Sequence, residues 1–144
     1  YNSFLAAGCE ETCKECSEAG IDGFIIVDLP VEESWRIMAP AAAKHNLSLV
    51  PLASPTSGAE RIQQVAEAAI NPTPGMVYVV SLLGVTGTRE TEQADAKALR
   101  LKECQSVVES VRDAAKKMGA DLPVVVGFGI SERKHVEEFG AFAD

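Results

Sequence analysis

Two glycine-bearing loops contain the residues whose types and spacing suggest chemistry. Residues 81–88 read Ser-Leu-Leu-Gly-Val-Thr-Gly-Thr after one apolar run, and residues 127–131 read Gly-Phe-Gly-Ile-Ser after another. Glycines let backbone amides approach an anion closely, and a helix N-terminus after such a loop favours phosphate. The pattern therefore indicates phosphate binding by the backbone, with a hydroxyl added by Thr86. Two plain βα loops with turn glycines are the alternative.

Neither loop carries a standard nucleotide-binding motif. Glu132 stands where a dinucleotide fingerprint needs its third glycine, and no lysine follows either glycine pair as it does in a P-loop. The glycines therefore indicate neither a dinucleotide site nor a P-loop site.

Three cysteines have a spacing that fits two structures. Cys9, Cys13 and Cys16 match the C-x3-C-x2-C motif of radical S-adenosylmethionine enzymes, in which three thiolates hold an iron–sulfur cluster. The same i, i+4, i+7 spacing is one face of a helix. Small neighbouring residues favour the helix, and Glu15 replaces the aromatic residue usual in the cluster motif. We therefore expect a buried helix face.

The remaining thiol and imidazole groups indicate no metal site. His45 and His135 fall on predicted helices, and no second His or Cys stands at a ligand spacing from either. Cys104 lies in a separate predicted helix, where packing is expected. We expect no metal and no cofactor in this chain.

Composition limits the partners and the location. The net charge of −8 argues against nucleic acid and against an anionic membrane surface, because clustered Lys and Arg bind both. No apolar run approaches the ~20 residues that span a bilayer. The four cysteines suit reduced thiols of a cytoplasmic protein. Because the chain begins at Tyr1, no leader can be read, and a plastid location stays open.

The hydrophobic pattern predicts alternating helices and strands. Apolar runs at 24–27, 47–52, 76–81 and 124–126 are typical of strands buried on both faces, although Pro51 weakens the second. Helices are predicted over 4–19, around Trp35 to about His45, from 57 to 69, up to 118, and from 131 to 139. Ser57 with Glu60 forms a capping-box pattern, and Ser131 is the predicted cap of the last helix.

The order of these elements predicts a parallel α/β fold. Crossover helices between apolar strands wind a parallel sheet right-handed, which suits a doubly wound sheet or part of a (β/α)8 TIM barrel. Tyr1 and Asn2 resemble the end of a strand, and another strand should begin after Asp144. We therefore expect one domain over residues 1–144, a partial TIM barrel truncated at both ends.

The residues of these loops resemble the tryptophan synthase α subunit family. V-S-x-x-G-V-T-G at 80–87 is followed by a strand ending V-G-F-G-I-S at 126–131, in the family's order and at compatible spacing. Tyr1-Asn2, Gly-Ile-Asp-Gly at 20–23, Val-Asp-Leu-Pro at 27–30 and Ala-Ser-Pro-Thr-Ser at 53–57 agree as well. By this resemblance the chain runs from the end of barrel strand three through helix seven.

The resemblance implies a lyase of tryptophan biosynthesis. The family cleaves indole-3-glycerol phosphate to indole and glyceraldehyde 3-phosphate, and passes indole to a β subunit or fused β domain that carries pyridoxal phosphate. Gly87 and Gly129 match its phosphate-binding backbone positions, and Asp28 matches an acidic residue that signals to the β subunit. The matching substrate-pocket residues are Tyr78, Thr86, Phe128, Ile25, Val27 and Leu52.

The family's catalytic residues are expected outside this chain. Its two carboxylates belong to the second strand and the following loop, upstream of Tyr1, and a last phosphate contact would follow Asp144. We therefore expect no catalytic residue here and no activity from this chain alone. Two alternatives stay open: a non-catalytic half-barrel that binds phosphate or docks on a β-type partner, and another phosphate-binding barrel enzyme of tryptophan or histidine synthesis.

Overall fold

A computed structural model describes residues 1–81 and 94–144. The elements are, in order, α1 (Asn2–Ala7), α2 (Cys9–Glu18), β1 (Gly23–Ile25), α3 (Val31–Glu33), a π-helical turn (Ser34–Met38), α4 (Ala39–Lys44), β2 (Ser48–Val50), β3 (Leu52–Ala53), α5 (Ala59–Ile70), β4 (Val77–Val80), α6 (Ala94–Lys117), β5 (Val124–Gly127) and α7 (Arg133–Phe139). Within these ranges, no helix is both long enough and apolar enough to cross a membrane.

The strands pair in parallel in two adjoining groups. β1 pairs with β2, and β4 lies between β3 and β5. The strand predicted over 47–52 is divided at Pro51, which has no N–H for the ladder. The Pro51 carbonyl still accepts the Tyr78 N–H at 3.0 Å. The parallel arrangement is therefore confirmed, and one predicted strand serves both groups.

Helices cover one side of the strands and bury two apolar clusters. The larger cluster packs α5 and α6 against β3, β4 and β5, with Val65, Val79 and Val108 fully buried. The smaller packs α2 and α4 against β2 around Met38 and Leu47. Each such side chain contributes about 1.5–3 kcal/mol when fully buried. The two clusters therefore show which face of the strands packs against the helices.

The single helix predicted over 4–19 is wrong, because Gly8 divides it. Gly8 has a φ of 89°, a left-handed conformation that ends α1 and allows α2 to begin with a new direction. Cys13 on α2 is fully buried, while Cys9 and Cys16 are half-buried against the same cluster. The buried helix face predicted for the cysteines is therefore confirmed.

Two predicted helix caps are also wrong. Gly58 precedes α5 without a side-chain cap, and Ser57 Oγ instead accepts the Ser54 N–H at 3.1 Å, a local turn that competes with capping. α7 begins after Glu132, one residue beyond the predicted cap Ser131. The Ser131 N–H faces Nδ1 of His135 at 3.4 Å.

The helix predicted around Trp35 contains a π-helical turn. Pro40 lies just after this turn and lacks the N–H that an α-helix would bond to the carbonyl four residues earlier. The wider turn accommodates that missing hydrogen bond. The helical stretch otherwise agrees with prediction, since α4 ends at Lys44.

Candidate functional site

The predicted pocket residues of β3 and β4 face away from the helices. Side chains alternate along a strand, so Tyr78 lies on the side opposite Val77 and Val79, which belong to the larger core. Leu52 likewise lies opposite Ala53, another core residue. Both predicted residues are half-buried on a face that the described helices leave uncovered.

The pocket residues near β1 and β5 lie on open surface. Ile25 and Val27 flank the buried Ile26 and are 47% and 63% exposed. Phe128, just after β5, is 42% exposed. All five predicted pocket residues within the described ranges are thus at least partly exposed. We call the surface that they form the open face: Ile25, Val27, Leu52, Tyr78 and Phe128. Thr86 and Gly87, the other predicted contacts in this region, lie outside the described residues.

The ring of Tyr78 lies across the end of β5. It contacts the ring of Phe128 edge to face, with centroids 5.6 Å apart and planes at 88°. A Cβ on Gly127 would lie 1.7 Å from Tyr78 Oη, so only glycine leaves room for the ring. Gly127 is therefore a site residue absent from the predicted set. Its position as the last residue of an apolar strand was the available signal.

A left-handed turn follows β5 at the predicted phosphate position. Phe128 and Gly129 have φ of 67° and 72°. For a non-glycine residue this conformation costs about 1–2 kcal/mol, so surrounding contacts must hold Phe128 in it. Ser81 supplies such a contact, since its hydroxyl donates to the Phe128 carbonyl. Ser81 is buried and was also absent from the predicted site, although it stands within the V-S-x-x-G-V-T-G pattern.

The amide of Gly129 is the candidate phosphate contact within the described residues. Among the backbone hydrogen bonds of residues 1–81 and 94–144, the Gly129 N–H donates to no carbonyl. The expected help from a Ser131-capped helix is missing, because α7 is short and begins only at Arg133. Within the described ranges, the phosphate prediction therefore rests on the backbone at Gly129.

Asp28 lies in the loop between β1 and α3 and is exposed. Its side chain is 65% exposed, a position that suits a contact with a protein partner. The signalling role of Asp28 stays a prediction.

The described surface has two cavities, of which the first adjoins the open face. One of about 70 Å³ lies beside the end of β1 and is lined in part by Val27, Leu52 and Arg61. A groove of about 480 Å³ separates α5 from α6 near Gln63 and Asp113, on the helix side. The groove is larger, but ligands of parallel β/α folds bind at the carboxyl ends of the strands. We therefore place the candidate site at the open face and the turn after β5.

Parallel strands with helices on one side and an apolar face on the other agree with a partial (β/α)8 barrel. The predicted fold class is thereby confirmed. Within that class, the chain belongs to the tryptophan synthase alpha chain family, whose model matches residues 1–144. Another kind of barrel enzyme is no longer an alternative.

Individual relatives agree with this assignment. The tryptophan synthase alpha chain of Aquifex aeolicus is 42% identical over 144 residues, which make up 48% of its length. The tryptophan synthase subunit alpha from Campylobacter jejuni is 26% identical with a TM-score of 0.76, covering 100% of this chain and 51% of that one. A chain of the tryptophan synthase α2β2 complex from Pyrococcus furiosus is 30% identical with a TM-score of 0.73, covering 99% and 51%. The chain thus spans about half the length of these relatives.

Proposed function

We propose that this chain forms the phosphate- and indole-binding part of a lyase that cleaves indole-3-glycerol phosphate to indole and glyceraldehyde 3-phosphate in tryptophan biosynthesis. The observation that carries the proposal is the turn after β5. There the Gly129 amide, which has no backbone acceptor among residues 1–81 and 94–144, lies next to the Tyr78–Phe128 ring pair. A free amide suits a phosphate oxygen, and an apolar aromatic surface suits an indole ring. Family membership supports the reaction class.

The proposal gives each predicted site residue a role. Gly129, with Gly87, contacts the phosphate through its backbone, and Thr86 belongs to the substrate pocket. The open face forms the wall against the indole ring. Its exposure in the described structure is consistent with a surface that substrate covers on binding.

We further propose that this chain alone does not catalyse the reaction. A retro-aldol cleavage needs a positioned general acid and base. The catalytic carboxylates implied by the family resemblance match no position of this chain. Indole release from indole-3-glycerol phosphate by the purified 144-residue chain would contradict this proposal.

Calorimetric titration with indole-3-glycerol phosphate tests the binding role. The chain should bind this ligand, and Phe128→Ala should weaken binding by about tenfold, because one apolar contact of this size is worth about 1–2 kcal/mol. Val136→Ala, which removes an exposed apolar side chain from α7, is the matched control and should leave affinity unchanged. Equal loss in both variants, or no binding by the unchanged chain, would refute the role.

A tryptophan synthase β subunit is the proposed protein partner. The similarity to a chain of the Pyrococcus furiosus α2β2 complex supports this proposal, as does the exposed position of Asp28. The partner would carry pyridoxal phosphate, and none is proposed for this chain. Co-elution with a purified bacterial β subunit tests it. Co-elution without ligand binding would favour the non-catalytic docking alternative.

The cytoplasmic location stays a prediction, and the bacterial relatives give the plastid alternative no support.

A further inference from the structure

We propose that Ser81 is a positioning residue: its hydroxyl holds the Phe128 carbonyl and thereby aims the Gly129 N–H at the phosphate of the ligand. This inference rests on the proposed function, because it explains what holds the Gly129 N–H in the orientation that phosphate binding needs. It concerns a side chain that does not itself touch the ligand.

The geometry of one peptide group carries the inference. The Phe128 carbonyl and the Gly129 N–H belong to the same peptide unit, and in a planar trans peptide they point in opposite directions. Because Ser81 Oγ donates to the Phe128 carbonyl, the Gly129 N–H is directed away from Ser81. Among the backbone carbonyls of the described residues, none accepts this N–H. The Ser81 hydroxyl therefore selects the direction in which the Gly129 N–H points.

Ser81 is itself firmly held. It is 1% exposed, and its own N–H donates to the Gly127 carbonyl at 2.9 Å, which extends the β4–β5 ladder to the turn. The donor and the acceptor of the hydroxyl bond thus follow neighbouring paired strands, so their separation is fixed by the ladder. This is a rigid support of the kind that a precisely oriented amide needs.

Loss of the hydroxyl should let the peptide rotate. Glycine populates left-handed and right-handed conformations almost equally, so Gly129 offers little resistance to a flip of the preceding peptide. Without a partner, the partly buried Phe128 carbonyl gains by turning towards water. The Gly129 N–H then points to the other side of the turn.

Ser81→Ala tests the proposal by two readouts in the 144-residue chain. In the ligand-free protein, the ¹⁵N residual dipolar coupling of the Gly129 amide should change from its unsubstituted value. Affinity for indole-3-glycerol phosphate should fall about tenfold, whereas affinity for indole, which has no phosphate, should stay the same. Ser81→Thr, which keeps the hydroxyl, should stay within about threefold for both ligands. Ser34→Ala, at another buried serine, is the control and should change neither readout.

The outcomes separate this proposal from the function on which it rests. If the unsubstituted chain does not bind indole-3-glycerol phosphate, the proposed function fails, and the dipolar coupling still decides whether Ser81 orients the amide. An unchanged coupling and an unchanged phosphate-ligand affinity in Ser81→Ala would overturn the role of Ser81. Equal losses for indole and the phosphate ligand would also overturn it, since they indicate general damage. If Ser81→Ala does not fold, the isosteric pair Ser81→Thr and Ser81→Val makes the same comparison.

Discussion

The contact between Gly127 and Tyr78 shows how far the site depends on single atoms. A Cβ on Gly127 would lie 1.7 Å from Oη and 2.3 Å from Cζ of the Tyr78 ring. Both atoms are far inside van der Waals contact, and the ring is also packed against Phe128. A substitution at Gly127 must therefore displace the ring that forms part of the open face.

At this residue scale, Gly127→Ala should lower the free energy of unfolding by about 1–3 kcal/mol, because overpacking forces the ring and strand to shift. Tyr78→Leu in the same chain should restore part of the loss, whereas Tyr78→Phe should not, because the ring carbon would still be too close. Gly58→Ala, where a Cβ meets nothing within 4 Å, is the matched control and should be nearly neutral. Urea denaturation measures all four variants. Equal stability of Gly127→Ala and Gly58→Ala would contradict the contact.

The buried thiol of Cys13 predicts a loss of stability at high pH. Burial, with the neighbouring Cys9 and Cys16 thiols, raises the pKa of Cys13 from about 9 to about 11. The thiol stays neutral in the folded chain at a pH where it ionises in the unfolded chain. The resulting stabilisation is therefore present below about pH 9 and is lost as pH rises through about 11.

Replacing this thiol should flatten that pH dependence. Between pH 8 and pH 11, the unsubstituted chain should lose about 1–2 kcal/mol more stability than Cys13→Ala, because one pKa unit corresponds to about 1.4 kcal/mol. Denaturant unfolding at each pH measures the difference in free energy of unfolding between the two proteins. Contributions from tyrosines and lysines cancel in this difference, because both proteins contain them. Parallel curves for the two proteins would show that Cys13 is not the group responsible.

At the scale of elements, the segment after α7 is tied to the start of β5. Oδ2 of Asp144 accepts the Val124 N–H at 2.9 Å and an Arg112 guanidinium N–H at 2.7 Å. Arg112 also donates to the Phe142 carbonyl at 2.7 Å. The Val124 N–H and then Arg112 hold the pKa of Asp144 below its ordinary value. The segment after α7 is thereby joined to α6 and β5 through one carboxylate.

Asp144→Asn should loosen this junction in a pH-dependent way. Because the pKa is lowered in the folded chain, the carboxylate stabilises the fold above its ordinary pKa and loses that effect as pH falls through the lower value. The melting temperature of Asp144→Asn should be below that of the unsubstituted chain at pH 7, and the two should converge towards pH 3. Asp121→Asn, at an exposed position, is the control. A constant gap at all pH values would rule out the ionised group as the cause.

The sequence pattern predicts the strands better than it predicts their interruptions. Apolar runs identify β1, β4 and β5 because strands buried on both faces need continuous apolar residues. The break at Gly8 and the division at Pro51 depend on single backbone groups that leave the overall periodicity unchanged. Helix caps are similarly local. Ser57 has the right spacing for a cap but bonds Ser54 instead.

At the scale of the whole molecule, the described helices cover one side of the strands and leave the open face uncovered. A continuous apolar run does not reveal which of its residues face the helices. The two faces of each strand are therefore distinguished only by the structure. Ser81 and Gly127 escaped prediction for a related reason. The Ser81–Phe128 bond joins residues 47 positions apart, and no local pattern encodes such a contact. The family resemblance supplied Tyr78, Phe128 and Gly129 instead.

Chemical-shift mapping of the ¹⁵N-labelled chain with indole-3-glycerol phosphate tests the central claim most directly. If the turn after β5 and the open face bind this ligand, the largest shifts should occur at the Gly129 amide and along the strands that carry Tyr78 and Leu52. The groove between α5 and α6, around Gln63 and Asp113, should show none. Shifts confined to that groove, or a Gly129 amide that does not move at saturating ligand, would contradict the claim.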